Sequence, residues 1–279
     1  KNFRFTITTN GVLLSDDKIE FINREMSNVV LSIDGRKSVN DRIRKRPDGG
    51  GSYDIIMKKF KKIVKLRGDK EYYVRGTFTK YNLDFANDVL HLFDEGFDQI
   101  SIEPAVCDEK MDWAITPDDL PTISAEYERL ASEILRIRGE GKRINFFHFM
   151  IDLEQGPCAI KRLRGCGCGN EYVAVTPEGD IYPCHQFVGM KEWKMGNLDS
   201  GILDNKMKKY FAAANLYKKE GCSDCWAKFY CSGGCNANNQ IYAGDVLKPY
   251  SLSCEMQKKR IECAIMVKAA MALNEQDGN

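Results

Sequence analysis

The chain has 279 residues, of which 43% are hydrophobic and 29% charged, with a net charge of +1. That balance is ordinary for a soluble globular protein, excludes a strongly basic nucleic-acid binder and gives no pull toward a membrane surface. No apolar run approaches a membrane span, and the length allows one large domain or two ordinary ones.

In chain order, Phe3 to Thr8 alternate as a strand and end at the turn Thr9-Asn10-Gly11. Ser15-Asp16-Asp17 caps a short helix through Arg24. Val29 to Ile33 is an apolar run closed by Asp34-Gly35, which suits a strand buried on both faces. A glycine-rich loop, Pro47 to Gly51, leads into a helix over 52–67. Ile56, Phe60 and Ile63 share one face of it, and the lysine run from Lys58 to Lys65 is its solvated side. Tyr72 to Phe78 is the next strand, Asn82 to Glu95 the next helix, and Gln99 to Pro104 another strand. Thr116-Pro117-Asp118-Asp119 is a strong helix start, and the helix runs to about Arg138.

Residues 1–140 therefore read strand-helix four times, which predicts an α/β unit with a parallel sheet, either doubly wound or a barrel. In both, ligands sit beyond the C-terminal strand ends. Those ends carry Thr9-Asn10, Ser32-Ile33-Asp34, Arg75-Gly76-Thr77 and Glu103-Pro104. Ser32 and Asp34 equally suit a plain cap and turn. After residue 140 the pattern changes. A hairpin runs from Glu171 to Cys184, a helix lies near 205–214, and a last helix covers about 254–273. The reading gives two domains, 1–150 and 151–279.

Eleven cysteines bunch toward the C-terminal half. That density fits metal ligation in a reducing, cytoplasmic compartment better than disulfides. Cys222, Cys225, Cys231 and Cys235 follow C-x2-C-x5-C-x3-C, with Cys166, Cys168 and Cys184 upstream and Cys254 downstream. Thiolates at this density suit structural zinc or iron–sulfur clusters. Gly233 and Gly234 would let backbone approach a bulky cluster, and Trp226, Phe229 and Tyr230 would keep it dry. His185 is either a zinc ligand or a bystander. Cys107, Cys158 and Cys263 read as small buried residues.

Cys166, twelve residues, Gly179, four residues, Cys184, then Cys222-x2-Cys225-x5-Cys231-x3-Cys235 and Cys254 resemble the seven-cysteine SPASM motif of radical S-adenosylmethionine (SAM) enzymes. The first half is similar to their partial (β/α)6 TIM-like barrel from its third strand onward. The stretch from Ala227 through Asn238 is most similar to maturases of SCIFF peptides, which install thioether crosslinks.

The resemblance implies that Cys166, Cys184 and Cys235 bind one auxiliary [4Fe-4S] cluster, and Cys222, Cys225, Cys231 and Cys254 the other. Three thiols leave one iron open, for a substrate cysteine or for Cys168. It also implies that Ser32 and Arg75 bind the aminocarboxylate of SAM with Asp34 nearby. The alternative for Arg75 is an inward-facing barrel residue in an ion pair. The implied partners are a cysteine-rich precursor peptide and an electron donor such as ferredoxin or flavodoxin, with no nucleic acid and no membrane. The implied reaction begins with hydrogen abstraction by a 5′-deoxyadenosyl radical. One departure stands out: no C-x3-C-x2-C loop for a third, SAM-cleaving [4Fe-4S] cluster occurs in the sequence. The expectation is that this loop lies on an upstream part. The other readings are a sulfatase-maturating relative that makes formylglycine, and a non-enzymatic zinc or electron-transfer protein.

Overall fold

The computed structural model describes residues 3–277, with two compact units. One comprises the chain through Met150 and takes in the residues from Cys263 onward; the other is Ile151–Glu262. The last helix is therefore divided between them, so the region expected as one domain over 151–279 gives up its final residues to the first unit.

The first unit runs β1 Thr6–Thr9, α1 Asp16–Glu25, β2 Asn28–Ser32, α2 Lys37–Ile43, α3 Tyr53–Arg67, β3 Tyr72–Phe78, α4 Phe85–Asp94, β4 Gln99–Pro104, α5 Leu120–Gly139 and β5 Asn145–Phe146. All five strands are parallel and lie in chain order. Right-handed crossovers that always add the next strand on the same side collect the helices on one face, as in a barrel wall. The helix-side residues form the core: Val29, Leu31, Val74, Phe78, Ile100 and Ile102 are fully buried, as are Phe60 and Ile63 of α3. β2 is not apolar on both faces. It alternates buried and part-buried residues, so one sheet face stays open to polar groups. Ser15 stands at the start of α1 without a side-chain cap bond. Thr116 and Asp119 form the expected capping box, opening a 3-10 turn that runs into α5.

The second unit holds α6 Ala159–Arg164, then β6 Ala174–Val175, β7 Asp180–Tyr182, β8 Gly196–Asn197 and β9 Gly201–Ile202, an antiparallel sheet that extends the expected hairpin by two strands. Then come α7 Asn205–Ala213, α8 Lys228–Cys231 and α9 Asn236–Ala243, and α10 Ser251–Asp277 begins here. Its core gathers Tyr182, Phe187, Phe211 and Val246 with Cys168 and Cys184. Among the described residues no helix is long and apolar enough to cross a membrane.

Candidate functional site

In the first unit, the strand registers place Ser32 beside Arg75 and Arg75 beside Ser101, a row across three strands. One step further on, Thr77 pairs with Glu103. These side chains share the face away from the helices, because residues two apart on a strand point the same way. Arg75 is half exposed and donates to Glu103 Oε2 at 2.7 Å, the ion pair set out as its alternative role. His148, just past β5, is buried, with Nε2 at 3.1 Å from Ser101 Oγ and 3.5 Å from Glu103 Oε1.

Asp34 is buried and already engaged. Arg44 grips its carboxylate with two bonds of 2.7 and 2.8 Å, and the Thr77 backbone N–H donates to it at 2.9 Å. It fixes the loop after β2 to the end of β3, next to Ser32 and Arg75. Sequence reasoning missed Arg44, Glu103 and His148 as partners; only the polar strand ends hinted at them.

In the second unit the thiols form two groups. Cys222, Cys225, Cys231 and Cys254 all line one cavity of about 670 Å³. The turn at Cys222–Cys225 closes by a 3.3 Å backbone bond, α8 delivers Cys231, and the first turn of α10 delivers Cys254. Burial pushes the Cys254 thiol up to about 11 and also raises Cys222. In metal-free protein these are thiols, and they give up protons as they become ligands. Trp226 lines the cavity but is 56% exposed, and Phe229 and Tyr230 are only part-buried, so the expected dry aromatic shell is incomplete.

In the other group, Cys168 and Cys184 are buried in one core. The neighbouring Cys168, helped by the backbone N–H groups of Gln186 and Phe187, lowers the Cys184 thiol. Cys168 goes up correspondingly, by its nearness to Cys184 and by burial. Cys235 packs on this core, and Gln186 Nε2 lies 3.5 Å from its sulfur. Cys166 is exposed.

Ser232 stands between the groups: it follows Cys231, and its Cβ approaches Gly165, the neighbour of Cys166. Among the described residues it is the one non-glycine residue with positive φ, at 65°, and its buried hydroxyl has no partner. Strain and an orphaned donor in one residue mark a functional segment. Among the described residues no cysteine forms a disulfide, His185 is exposed, Cys263 is buried as expected, and Cys158 is exposed rather than buried. Cys107 is intermediate, and burial raises its thiol.

Among the described residues no three of His, Cys, Asp and Glu converge closely enough to hold a single metal ion. Zinc needs ligands about 2.3 Å from one centre. Four thiols around one cavity fit a thiolate-ligated iron–sulfur cluster.

A family model described as an iron-sulfur cluster-binding domain, SPASM, matches residues 166–226. The chain is 22% identical over 250 residues to a cysteine-type anaerobic sulfatase-maturating enzyme of Clostridium novyi, across 86% of this chain and 65% of that protein. It is 25% identical over 262 residues to a serine-type anaerobic sulfatase-maturating enzyme of Bacteroides thetaiotaomicron, across 83% and 60%. The chain thus spans at most 65% of these two curated relatives. In fold it is similar to native anSMEcpe solved with bound AdoMet and the Cp18Cys peptide, with a TM-score of 0.77 at 19% identity over 96% of this chain and 76% of that one. Streptococcus suis SuiB bound to S-adenosylmethionine gives 0.58 at 20% identity, over 87% and 57%. The fold is accordingly the α/β fold of these solved structures, with the SPASM iron-sulfur cluster-binding match in its C-terminal part.

Proposed function

We propose that this chain carries the SAM-facing sheet and two auxiliary [4Fe-4S] sites of a radical SAM enzyme that oxidises a side chain of a peptide or protein. The cavity lined by Cys222, Cys225, Cys231 and Cys254 carries this reading. Cys166, Cys184 and Cys235 would hold the other cluster. Ser32 and Arg75 would bind the aminocarboxylate of SAM, Arg75 through its planar fork, and Asp34 would keep their loop in place through Arg44 and Thr77. When bound, SAM with a third [4Fe-4S] cluster on a C-x3-C-x2-C loop supplies hydrogen-atom abstraction. Iron, sulfide and zinc are measured on the chain purified without oxygen. About eight irons and eight sulfides are expected from two cubanes; about two zincs in a colourless sample would overturn the reading.

The position of Cys168 favours one chemistry within this class. Sharing a buried core with Cys184, on which Cys235 packs, it would serve as a fourth thiol beside Cys166, Cys184 and Cys235. That leaves no iron open to a substrate sulfur and favours conversion of a cysteine or serine to formylglycine, with a ferredoxin or flavodoxin as reductant in the cytoplasm. The second reading is thioether crosslinking of a cysteine-rich precursor peptide, with Cys168 off the cluster; the Ala227 to Asn238 stretch speaks for it. The complete gene product is incubated with a cysteine-bearing peptide. A product that reacts with a hydrazine probe supports formylglycine. One that resists both the probe and thiol alkylation supports the crosslink.

A further inference from the structure

Lys219 is 3% exposed, the most deeply placed lysine of the second unit among the described residues. Its Nζ donates to Gly233 O at 2.8 Å and to Asn236 Oδ1 at 2.7 Å, on either side of Cys235. Its own backbone carbonyl accepts from the N–H of Cys222 at 3.2 Å. Gly233 is where it is because of this lysine. A Cβ there would stand 2.5 Å from Lys219 Cδ, and the backbone takes φ of 76°. Gly233 also lines the four-thiol cavity, where its backbone comes close to the site.

A buried ammonium is costly unless it meets negative charge. Two neutral acceptors do not supply any. Burial lowers this amine, and the nearby thiols oppose that. By position, Lys219 is bonded to Cys222 through its own carbonyl, to Gly233 on the wall of the four-thiol cavity, and to both flanks of Cys235, so it lies beside both ligand sets.

Resting on the two-cluster reading above, we propose that Lys219 sets the reduction potentials of both auxiliary clusters by holding a fixed positive charge beside them. A cation in a low-dielectric interior favours the reduced, more negative state of each cluster, and potentials of such clusters respond to net charge and hydrogen bonds at their sulfurs. It is a positioning residue for electrons and makes no contact with substrate.

The test compares Lys219→Gln and Lys219→Met, which remove the charge, with Lys219→Arg, which keeps it. The full chain is reconstituted with iron and sulfide, its iron is counted, and its potentials are read by EPR-monitored redox titration. That readout follows only the protein that carries clusters, so partial loading does not obscure it. Both potentials are expected to fall in the two neutral variants and to stay near the parent value in Lys219→Arg. A purely structural fastening would lower iron content and leave the potentials of the loaded fraction unmoved, which overturns the proposal. Parent protein that takes up no iron overturns the two-cluster reading itself, a result distinguishable by the iron count alone.

Discussion

Asp34 shows how a residue beside a site can serve by holding others. Its buried carboxylate faces Arg44 and Thr77, so Asp34→Asn leaves a partly buried guanidinium without its charge partner. A loss of about 3 kcal/mol in the urea unfolding of the first unit is expected, by the rule for broken buried pairs. Glu103 is the opposite case. It competes for the fork of Arg75 at 2.7 Å, so Glu103→Gln should tighten SAM binding in the complete enzyme, measured by calorimetry; weaker binding would remove Arg75 from the carboxylate role. Arg75 and Ser32 were legible as polar residues leaving strands. Arg44, ten residues past its partner, was not, since nothing local ties the two. Lys219 was equally hidden: its neighbour Lys218 is exposed, and two adjacent lysines look alike until packing selects one.

At the level of elements, β3 and β4 fall on their expected residues, because buried β-branched and aromatic runs bounded by turns carry a clear period. The two-residue strands β8 and β9 and the short helix α2 carry none, and they were not foreseen. Gly76 sits within β3, as expected, where a Cβ would lie 2.3 Å from the Ile33 carbonyl oxygen and 2.7 Å from Asp34 Cα. Backbone cannot swing aside, so Gly76→Ala should cost about 1–3 kcal/mol, and it should disturb SAM binding through the β2 end. Thermal melts and binding on the same variant check both. At the start of α2, Arg36 clasps Asp84 with bonds of 2.8 and 2.7 Å and also bonds Asp88. The Arg36 bond holds the Asp84 carboxyl below its usual range. A lowered folded value means the clasp contributes fully above about pH 4 and fades as pH falls through that value. Asp84→Asn should therefore flatten the acid limb of the stability profile, followed by circular dichroism, and change little in its shape near neutrality.

For the whole molecule, the cysteine spacing made the metal domain legible, and its resemblance already implied two sets of thiols; the cavity that four of them line needed the structure. Cys254 lies 19 residues beyond Cys235 in sequence yet lines the same cavity as Cys222. Cys254→Ala should cut iron from about eight to about four per chain and leave the other cluster's EPR signal; unchanged iron would take Cys254 out of the ligand set. The second unit has thin regular structure, its longest strand being the three residues Asp180–Tyr182. On the two-cluster proposal, a region with such short strands would depend on its clusters for shape, as small metal-bound domains do. Air would then act on it as a denaturant. Exposure to oxygen should open protease cleavage sites across 151–262 while the five-stranded sheet stays resistant, so the lifetime of the fold becomes a record of the atmosphere it has met.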